Sequence, residues 1–561
     1  MECENRQMDL IEYACEKFQM HCYEEALEAF VLAYTKGIAC EWVLENIYNC
    51  YVSGNEEQFR ETYERQAHGI PCAYEECTLD FVPYRDGEYF IFDKEQMIFR
   101  GVFSVRDLDA VQPNELFERM PFSAAALEFD WNWNQIRGIL AEAKNRKIYA
   151  VCHDIQRSAS FLKIKELSVY MENIMMFPDY EKFQNYFHEN TGVYLPMLIF
   201  GNEAGKQELA EIREEEHQYR LTQEGRNRDH VLLTIAIPTA HRGNLVLERM
   251  RNLLPMQYDA EVEFAISKNG TQWYQEEYKK VSEIPDARIE YYDHNRDLRP
   301  EENWRYAVEM SHGKYVLFVS DEDDVVVDSI DYYLKLLSTH PDVNQVRAKT
   351  MYQYANIEKK AYGKKGIEAF DLVFLRQNYL SGLIVRRNDF IQQNFRELSR
   401  FMNNEFYRNY AHEWWCALLS QTGDAIEDPT VLVADDEPVI DQIRLLSYAT
   451  YEQRLKQFQG QIDFLRWFMG NNREGMRIGL GKSISKVDYL LQITRRLDSD
   501  AEKYEKFLDQ FLWMCIDAID NSGLLEEQKI HLLQWTQKLG TESLEWNEEM
   551  KKSKDANHET I

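Results

Sequence analysis

Residues 311–324 read S-H-G-K-Y-V-L-F-V-S-D-E-D-D, and this stretch decides the fold. Within it, residues 315–319 form a short apolar run, which predicts a strand that is buried on both faces. The run is followed by four consecutive carboxylates, Asp321, Glu322, Asp323 and Asp324. Because like charges repel, a hard divalent cation such as Mg²⁺ or Mn²⁺ would stabilise this cluster. The alternative is a solvated acidic turn in which Asp324 or Asp328 caps the next helix.

Three strand-like runs precede this stretch, and polar residues follow each of them. The runs cover residues 232–237, 262–267 and 288–292, with helical patterns between them. The order β-α-β-α-β-α-β predicts a parallel sheet with right-handed crossovers, and such sheets bind ligands at the carboxyl ends of their strands. Those ends are residues 239–242, 268–269, 293–295 and 321–324. We therefore expect a binding site that includes the carboxylate cluster.

Residues 231–435 resemble the family 2 glycosyltransferases, which have the GT-A fold. The resemblance rests on I-P-T-x-x-R after the first strand, on N-W-R-Y-A and then G-K-Y-V before the fourth, and on D-E-D-D after it. It implies an α/β nucleotide-diphospho-sugar transferase domain over residues 230–440. The implied reaction moves a sugar from a nucleotide-diphosphate donor to a hydroxyl acceptor (a glycan, polysaccharide or glycoconjugate), with metal assistance and with inversion.

The resemblance places the nucleotide at the ends of the first two strands. Pro238, Thr239 and Arg242 match the family's nucleotide-contacting residues. His241 stands where the family has an Asn. Asn269 stands where the family has an Asp near the base, so we expect Asn269 to substitute for it.

The resemblance also implies roles for the helix before the fourth strand and for the carboxylate cluster. Asn303 matches the family's Asn before the helical Ala. Asp321, Glu322 and Asp323 match the D-x-D signature, which holds the donor, and Asp321 and Asp323 are the expected metal ligands. The Mn²⁺ or Mg²⁺ cofactor would act as a Lewis acid on the leaving diphosphate.

On the acceptor side, the family has a Gly-containing strand and then an acidic residue at the start of a later helix. The strand corresponds to N-Y-L-S-G-L-I-V-R-R, which contains Ser381 and Gly382. The helix corresponds to A-H-E-W-W, in which Glu413 is the candidate general base and His412 the second choice. Alternatively, Glu413 has no catalytic role and only stabilises the N terminus of the helix through the helix dipole. Trp414 could stack on a sugar ring or fill the core.

The remaining segments predict four further regions. Residues 1–70 are helical and resemble tetratricopeptide repeats, so they form either a partner-docking module or a plain helical cap. Residues 78–202 predict a hairpin or meander followed by a small α/β domain to which we assign no chemistry. Residues 203–229 predict a charged linker helix, and residues 441–561 predict a helical C-terminal domain.

Composition limits the partners and the compartment. The formal net charge is −32, which argues against nucleic acid or anionic lipid as the main partner. The ten cysteines include no C-x-x-C pair, so we expect free buried thiols in a reducing cytosol. The N terminus predicts no signal peptide, and no apolar run approaches the roughly 20 residues that span a bilayer. We expect a cytoplasmic protein, or at most one peripheral to the inner face of a membrane.

Two other functions fit parts of the sequence. The first is a non-catalytic scaffold around a degenerate transferase domain, with helical ends that bind a protein partner or a second copy. His241 and Asn269 favour it, whereas the acidic cluster and Glu413 oppose it. The second is a nucleotidyltransferase, for which A-H-R-G-N after the first strand is a poor version of the Gly-rich basic loop.

Overall fold

The computed structural model describes residues 2–558 with several gaps. The gaps are residues 39, 68, 107–123, 130–132, 134, 135, 137, 140–146, 172, 191, 192, 194, 223–230, 259, 260, 341, 353–356, 377, 378, 394–397, 436–449 and 499. Two compact units divide the chain. The first contains the residues up to Thr222 together with Ser338–His340, and the second contains the other residues.

Four helices begin the first unit: α1 (Glu2–Gln19), α2 (Tyr23–Thr35), α3 (Glu41–Gly54) and α4 (Glu56–Gln66). Helical spacing places apolar residues on one side of α2 and of α3, and most of them are buried, although Trp42 is 47% exposed. Leu27 and Phe30 of α2 share a core with Val43 and Ile47 of α3.

A meander and a parallel sheet complete the first unit. The meander is antiparallel and consists of β1 (Leu79–Arg85), β2 (Glu88–Asp93) and β3 (Ile98–Ser104). The parallel sheet has the order β6-β5-β4-β7 and consists of β4 (Ala125–Glu128), β5 (Ile148–Val151), β6 (Ile174–Phe177) and β7 (Leu198–Phe200). The sequence predicted a hairpin or meander followed by a small α/β domain in this region, without specifying the direction of the strands. The sequence also predicts a helix over residues 134–144, most of which lies outside the described residues.

The helices of this small α/β region are α5 (Ile155–Ser160), α6 (Ser168–Met171), α7 (Tyr180–Glu189) and α8 (Glu203–Thr222). Helix α8 is the segment that its charge predicted to be a linker. Its Leu209 and Ile212 are buried in one cluster with Tyr149 and Phe183, so α8 packs on the parallel sheet. Two well-placed apolar residues are enough to seat a helix whose other positions are charged.

A nine-stranded sheet forms the centre of the second unit. Its strands are β8 (Leu233–Ala240), β9 (Val262–Asn269), β10 (Ile289–Asp293), β11 (Tyr315–Phe318), β12 (Asp324–Val325), β13 (Val343–Thr350), β14 (Ala361–Gly363), β15 (Leu383–Arg386) and β16 (Asp424–Ala434). The order is β10-β9-β8-β11-β15-β13-β16-β12, and β14 also pairs with β16. The first four strands in this order are parallel, as predicted. All of β11 is buried.

Two antiparallel pairings bring distant parts of the chain to the carboxylate cluster. Strand β15 pairs with β11, so the residues before β15 lie near the carboxyl end of β11. In the pairing of β12 with β16, Asp324 is opposite Ala434. Residue 435 is therefore beside residue 323, because antiparallel registers run in opposite directions.

Helices surround this sheet and extend to the C terminus. They are α9 (Gly243–Leu253), α10 (Gln275–Ser282), α11 (Pro300–Met310), α12 (Ile330–Thr339), α13 (Ile367–Val373), α14 (Arg387–Ile391), α15 (Glu405–Leu419), α16 (Tyr451–Met469), α17 (Arg473–Leu497), α18 (Ala501–Asp520) and α19 (Glu526–His558). Phe464 of α16 and Leu480 of α17 share a buried cluster with Phe374 and Trp414. The C-terminal helices therefore continue the hydrophobic core of the second unit. None of the described helices is long and apolar enough to cross a membrane.

Candidate functional site

Asp321 lies at the carboxyl end of β11, where residues from β8 hold both of its carboxylate oxygens. Thr239 Oγ1 donates a hydrogen bond to Asp321 Oδ2 at 2.7 Å. Arg242 Nη1 lies 2.9 Å from Asp321 Oδ1 and 2.5 Å from Glu322 Oε1. Tyr278 of α10 adds a hydroxyl contact to Thr239 Oγ1 at 2.7 Å. The sequence-predicted residues Thr239, Arg242, Asp321 and Glu322 therefore form one connected group.

Asn303 connects the two strands that carry this group. Its side-chain amide donates to the carbonyl oxygens of Thr239 and Ser267, at 3.3 and 3.2 Å, and its Oδ1 accepts from Ser267 Oγ at 2.7 Å. Because Asn303 is buried, these bonds fix the separation of β8 and β9 at their carboxyl ends. Pro238 is buried within β8 opposite Ser267.

The side chain of Asn269 holds a loop. Its Nδ2 donates to the carbonyl oxygen of Leu298 at 2.9 Å, and its Oδ1 accepts from the Leu298 amide at 2.7 Å. These bonds anchor the residues before α11. We expected the Asn269 side chain near the nucleotide base, but both of its polar atoms bond to the Leu298 backbone.

Asp323 is 2% exposed, and its carboxylate accepts hydrogen bonds only from neutral hydroxyls among the described residues. Tyr379 Oη donates to it at 2.7 Å, and Ser381 Oγ donates to Oδ2 at 2.5 Å. The pKa of Asp323 is raised to about 6, mainly by burial; the hydroxyls of Ser381 and Tyr379 lower it, and the charges of Asp435 and Glu322 help to raise it. A carboxylate in this position gains most from a nearby cation.

Asp435 lies beside Asp323 because of the β12–β16 register, and it is 3% exposed. Thr350 Oγ1 and the Tyr352 amide donate to its two oxygens at 3.2 and 2.8 Å. Asp323 and Asp435 are both buried on neighbouring strand ends, and no basic side chain among the described residues pairs with Asp323, so a divalent cation there would offset the carboxylate charge. Asp321 is already neutralised by its ion pair with Arg242, so it has less need of a cation than Asp323, which accepts only from hydroxyls among the described residues.

Asp324 is the structural member of the cluster. It forms an ion pair with Arg249 and accepts from Asn252 Nδ2 at 3.0 Å. Both partners are on α9, so Asp324 fastens that helix to β12 and does not face Asp323.

Glu413 is fully buried in α15 and forms an ion pair with Arg347 of β13, with 3.5 Å between Oε1 and Nη2. His412 Nε2 is 3.7 Å from the same oxygen. Helix α15 is kinked at Tyr410, where φ is −138° and ψ is 40°. The kink starts a new helical segment, so His412 and Glu413 are in its first turn.

The other predicted acceptor-side residues have different environments. Ser381 contacts Asp323, as described above. Gly382 has a φ of +84°, its amide donates to Phe318 O at 3.0 Å, and its carbonyl accepts from Ala348 at 2.9 Å. Trp414 is not available to a sugar in this structure, because it is fully buried and stacks on Phe464 with 4.3 Å between ring centroids. The core interpretation of Trp414 is therefore the correct one.

Sequence reasoning missed Tyr379, Asp435 and Arg347. Asp435 had a usable signal, because V-L-V-A-D-D is an apolar run that ends in carboxylates, as is V-L-F-V-S-D-E-D-D. Tyr379 and Arg347 had none, since their roles depend on how β13, β15 and β11 pair.

A second group of metal-type ligands lies at the opposite, amino-terminal edge of the sheet. Glu263, Glu290 and His312 have ligand atoms within 4.8 Å of one another. Glu263 already accepts from Thr234 Oγ1 and from the His312 amide, both at 2.9 Å, and lies 2.8 Å from His312 Nδ1. These contacts hold the loop between α11 and β11.

No protein-family model and no curated protein matches this chain. Solved structures that are similar to it include S. aureus TarS 1-349, with 10% identity, a TM-score of 0.38, and coverage of 58% of this chain and 92% of that chain. The same protein in complex with UDP-GlcNAc gives 9% identity, a TM-score of 0.39 and the same coverage. The mannosyltransferase PcManGT from Pyrobaculum calidifontis, in complex with GDP-Man and Mn²⁺, has 12% identity and a TM-score of 0.31. The match covers 56% of this chain and 87% of that chain. Similarities this low establish neither a shared fold nor a shared activity.

Proposed function

We propose that the second unit is a glycosyltransferase of the GT-A type that uses a nucleotide-diphosphate sugar, a divalent metal and a hydroxyl acceptor. The observation that carries the proposal is the pair of buried carboxylates, Asp323 and Asp435, beside the Thr239–Arg242–Asp321 group. The pair and the group lie at the carboxyl ends of β8, β11 and β16, which run in one direction, and α/β sheets bind their ligands at this edge. TarS was solved in complex with UDP-GlcNAc, and PcManGT was solved in complex with GDP-Man and Mn²⁺. These complexes agree with the proposal, but the proposal does not rest on them.

Asp323 and Asp435 would hold the metal, which when bound would neutralise the charge on the leaving diphosphate. Asp321, with its oxygens fixed by Thr239 and Arg242, would keep Arg242 oriented at the edge of the site. The guanidinium is 31% exposed and is shared between Asp321 and Glu322, so it adds positive charge where a diphosphate would lie.

Glu413 is the proposed general base. In an inverting transfer, the acceptor oxygen bonds to the anomeric carbon, the bond from that carbon to the diphosphate breaks, and Glu413 takes the proton of the acceptor hydroxyl. Arg347 would hold the Glu413 carboxylate in one orientation. Since Glu413 is fully buried, its role requires the acceptor to open a path to it.

Titration calorimetry with UDP-, GDP- and CDP-sugars tests the proposal. We expect one of these donors to bind in the presence of Mn²⁺ or Mg²⁺ and to bind much more weakly after chelation. Asp323→Ala should remove the metal dependence, whereas Asp324→Ala should keep it. Binding that is equally strong with and without metal would exclude the metal role.

A non-catalytic scaffold is the second candidate, and specific contacts favour it. Glu413 is closed off by its pairing with Arg347, and Asn269 is committed to the Leu298 backbone. A scaffold would retain the sheet without turnover. Donor binding without any transfer or hydrolysis would support it, and measurable hydrolysis would exclude it.

A further inference from the structure

Cys72 and Cys77 lie on either side of a short 3-10 turn, Tyr74–Glu76, between α4 and β1. Both cysteines are free and buried, with 8% and 1% of their surface exposed. Cys72 Sγ lies 3.6 Å from the carbonyl oxygen of Ala73, and Cys77 Sγ lies 3.7 Å from the same oxygen. The two side chains also form a hydrogen bond with each other. The turn therefore brings both thiols to one carbonyl group and into contact.

Hydrogen bonds hold the backbone on which the two thiols are placed. Tyr63 of α4 donates through its hydroxyl to the carbonyl oxygen of Cys72 at 2.7 Å, and this contact is buried. The Ala73 amide donates to Glu76 Oε2 at 2.7 Å, which closes the turn between the two cysteines. Cys77 is followed directly by β1, whose Leu79 amide donates to Ser160 Oγ at 3.1 Å. The folded protein therefore keeps the two thiols together.

A buried ammonium group lies near Cys77. The side chain of Lys163, in the turn after α5, is fully buried, and its Nζ lies 2.6 Å from Asp80 Oδ1 and 2.8 Å from the Leu79 carbonyl oxygen. The pKa of Cys77 is lowered to about 6, mainly by the hydrogen bond with Cys72; burial raises it, and the charge of Lys163 helps to lower it. Because the thiolate is the nucleophile in cysteine chemistry, Cys77 is the reactive member of the pair at neutral pH.

We propose that Cys72 and Cys77 are a redox-active dithiol that hydrogen peroxide converts into an intramolecular disulfide. The Cys77 thiolate attacks one peroxide oxygen, so that an S–O bond forms, the O–O bond breaks, and the departing hydroxide takes a proton from solvent and leaves as water. The Cys72 sulfur then attacks the sulfur of this sulfenic acid. The S–S bond forms, the S–O bond breaks, and the oxygen leaves as water with the Cys72 proton. The two sulfurs are oxidised, and the peroxide is reduced to water.

The disulfide can be reduced again by thiol exchange, which makes the modification reversible in a reducing compartment. Both cysteines are in the first unit. The proposal is therefore independent of the transferase function proposed for the second unit.

Tryptic peptide mapping of the full, folded chain tests the proposal. Residues 66–85 form one tryptic peptide, which contains Cys72 and Cys77 and no other cysteine. After brief treatment with hydrogen peroxide, alkylation and digestion without reductant, we expect this peptide to be unalkylated and lighter than its reduced form by two hydrogen atoms. Dithiothreitol should restore both thiols. Cys40, a free and exposed cysteine, is the internal control and should be oxidised more slowly.

Cys72→Ser and Cys77→Ser are the decisive variants, because each keeps one thiol and removes its partner. Neither should show the loss of two hydrogen atoms, whereas Cys40→Ser should behave as the wild type. Phenylarsine oxide, which bridges two neighbouring thiols, gives a second measurement without oxidation. It should protect both cysteines of the peptide from alkylation in the wild type, and it should leave the remaining cysteine unprotected in either variant. Full alkylation of Cys72 and Cys77 at a peroxide dose that oxidises Cys40, or a disulfide from either of them to a third cysteine, would overturn the proposal.

Discussion

Asp323 is buried beside Asp435, and its pKa is raised from 3.8 to about 6. The carboxyl group of Asp323 therefore binds its proton more tightly in the folded protein than in the unfolded chain. The free energy of unfolding falls as the pH rises from about 4 to about 6, and the full penalty is present at neutral pH. A bound divalent cation would remove that penalty, so proton and metal compete for the same oxygens.

The first prediction concerns Asp323→Asn. Without metal at pH 7, the free energy of unfolding of this variant should be about 2 kcal/mol higher than that of the wild type, because the substitution removes a buried charge. At pH 4 the difference should disappear. Urea denaturation at both pH values measures it.

Adding Mn²⁺ should stabilise the wild type and not Asp323→Asn. Asp324→Asn is the control, since Asp324 pairs with Arg249 at a partly exposed position and should keep the metal response. A wild-type protein whose stability is unaffected by Mn²⁺ and Mg²⁺ at pH 7 would contradict the assignment of the metal ligands.

The second prediction separates catalysis from structure at Glu413. Glu413→Gln should lower kcat by about 100-fold or more, the usual contribution of a general base, with an unchanged donor Kd. It should also lower the free energy of unfolding, because Arg347 loses a buried ionic partner. Steady-state turnover assays measure kcat, and thermal melts on the same preparation measure the change in stability. Loss of stability with full activity would mean that Glu413 is only structural.

At the scale of single elements, the N terminus of helix α15 is capped by Asn404, which packs against the neighbouring helix α16. Asn404 Oδ1 accepts from the amides of Phe406 and Tyr407, at 2.9 and 3.2 Å. Gly460 of α16 packs against this cap, and a Cβ there would lie 2.3 Å from Asn404 Oδ1.

The third prediction follows from this contact. Gly460→Ala should lower the free energy of unfolding by about 1 kcal/mol or more, because the new methyl group displaces the cap. Gly481→Ala, in α17, is the matched control. A Cβ at Gly481 meets only Leu532 Cδ2 at 3.9 Å, so this substitution should raise stability by about 0.5–1 kcal/mol, as alanine does in helices. Equal effects of the two substitutions would refute the cap argument.

The four parallel strands β8 to β11 were predictable because each is a run of strand-forming residues with a polar end. Strands β12 and β16 were not, since β12 has only two residues and β16 contains Asp428 and Pro429. The run V-L-V-A-D-D marks Asp435 as a carboxylate at a strand end, but only the pairing of β12 with β16 brings it beside Asp323. The kink at Tyr410 was equally hidden, because it interrupts a segment with helical spacing on both sides.

At the scale of the whole molecule, the C-terminal helices share the hydrophobic core of the second unit. Trp414 stacks on Phe464 of α16, and Phe374 shares the same buried cluster with Leu480 of α17. Hydrophobic spacing predicted these helices, but it could not show which surface they cover. That information resides in contacts between residues far apart in the sequence.

The fourth prediction concerns fragments of the second unit. A fragment of residues 231–561 should fold cooperatively, whereas residues 231–435 alone should aggregate, because they expose the Trp414 cluster. Size-exclusion chromatography and thermal melts distinguish the two. A soluble, cooperatively folded 231–435 fragment would show that the C-terminal helices are dispensable for the core.

The most direct test of the central claim is nucleoside-diphosphate release from a donor panel of UDP-, GDP- and CDP-sugars. The account predicts that one donor is hydrolysed or transferred when Mn²⁺ or Mg²⁺ is present. Release should stop on chelation and in Asp323→Ala and Asp435→Ala, while Asp324→Ala remains active. Release that persists in Asp323→Ala after chelation would contradict the account.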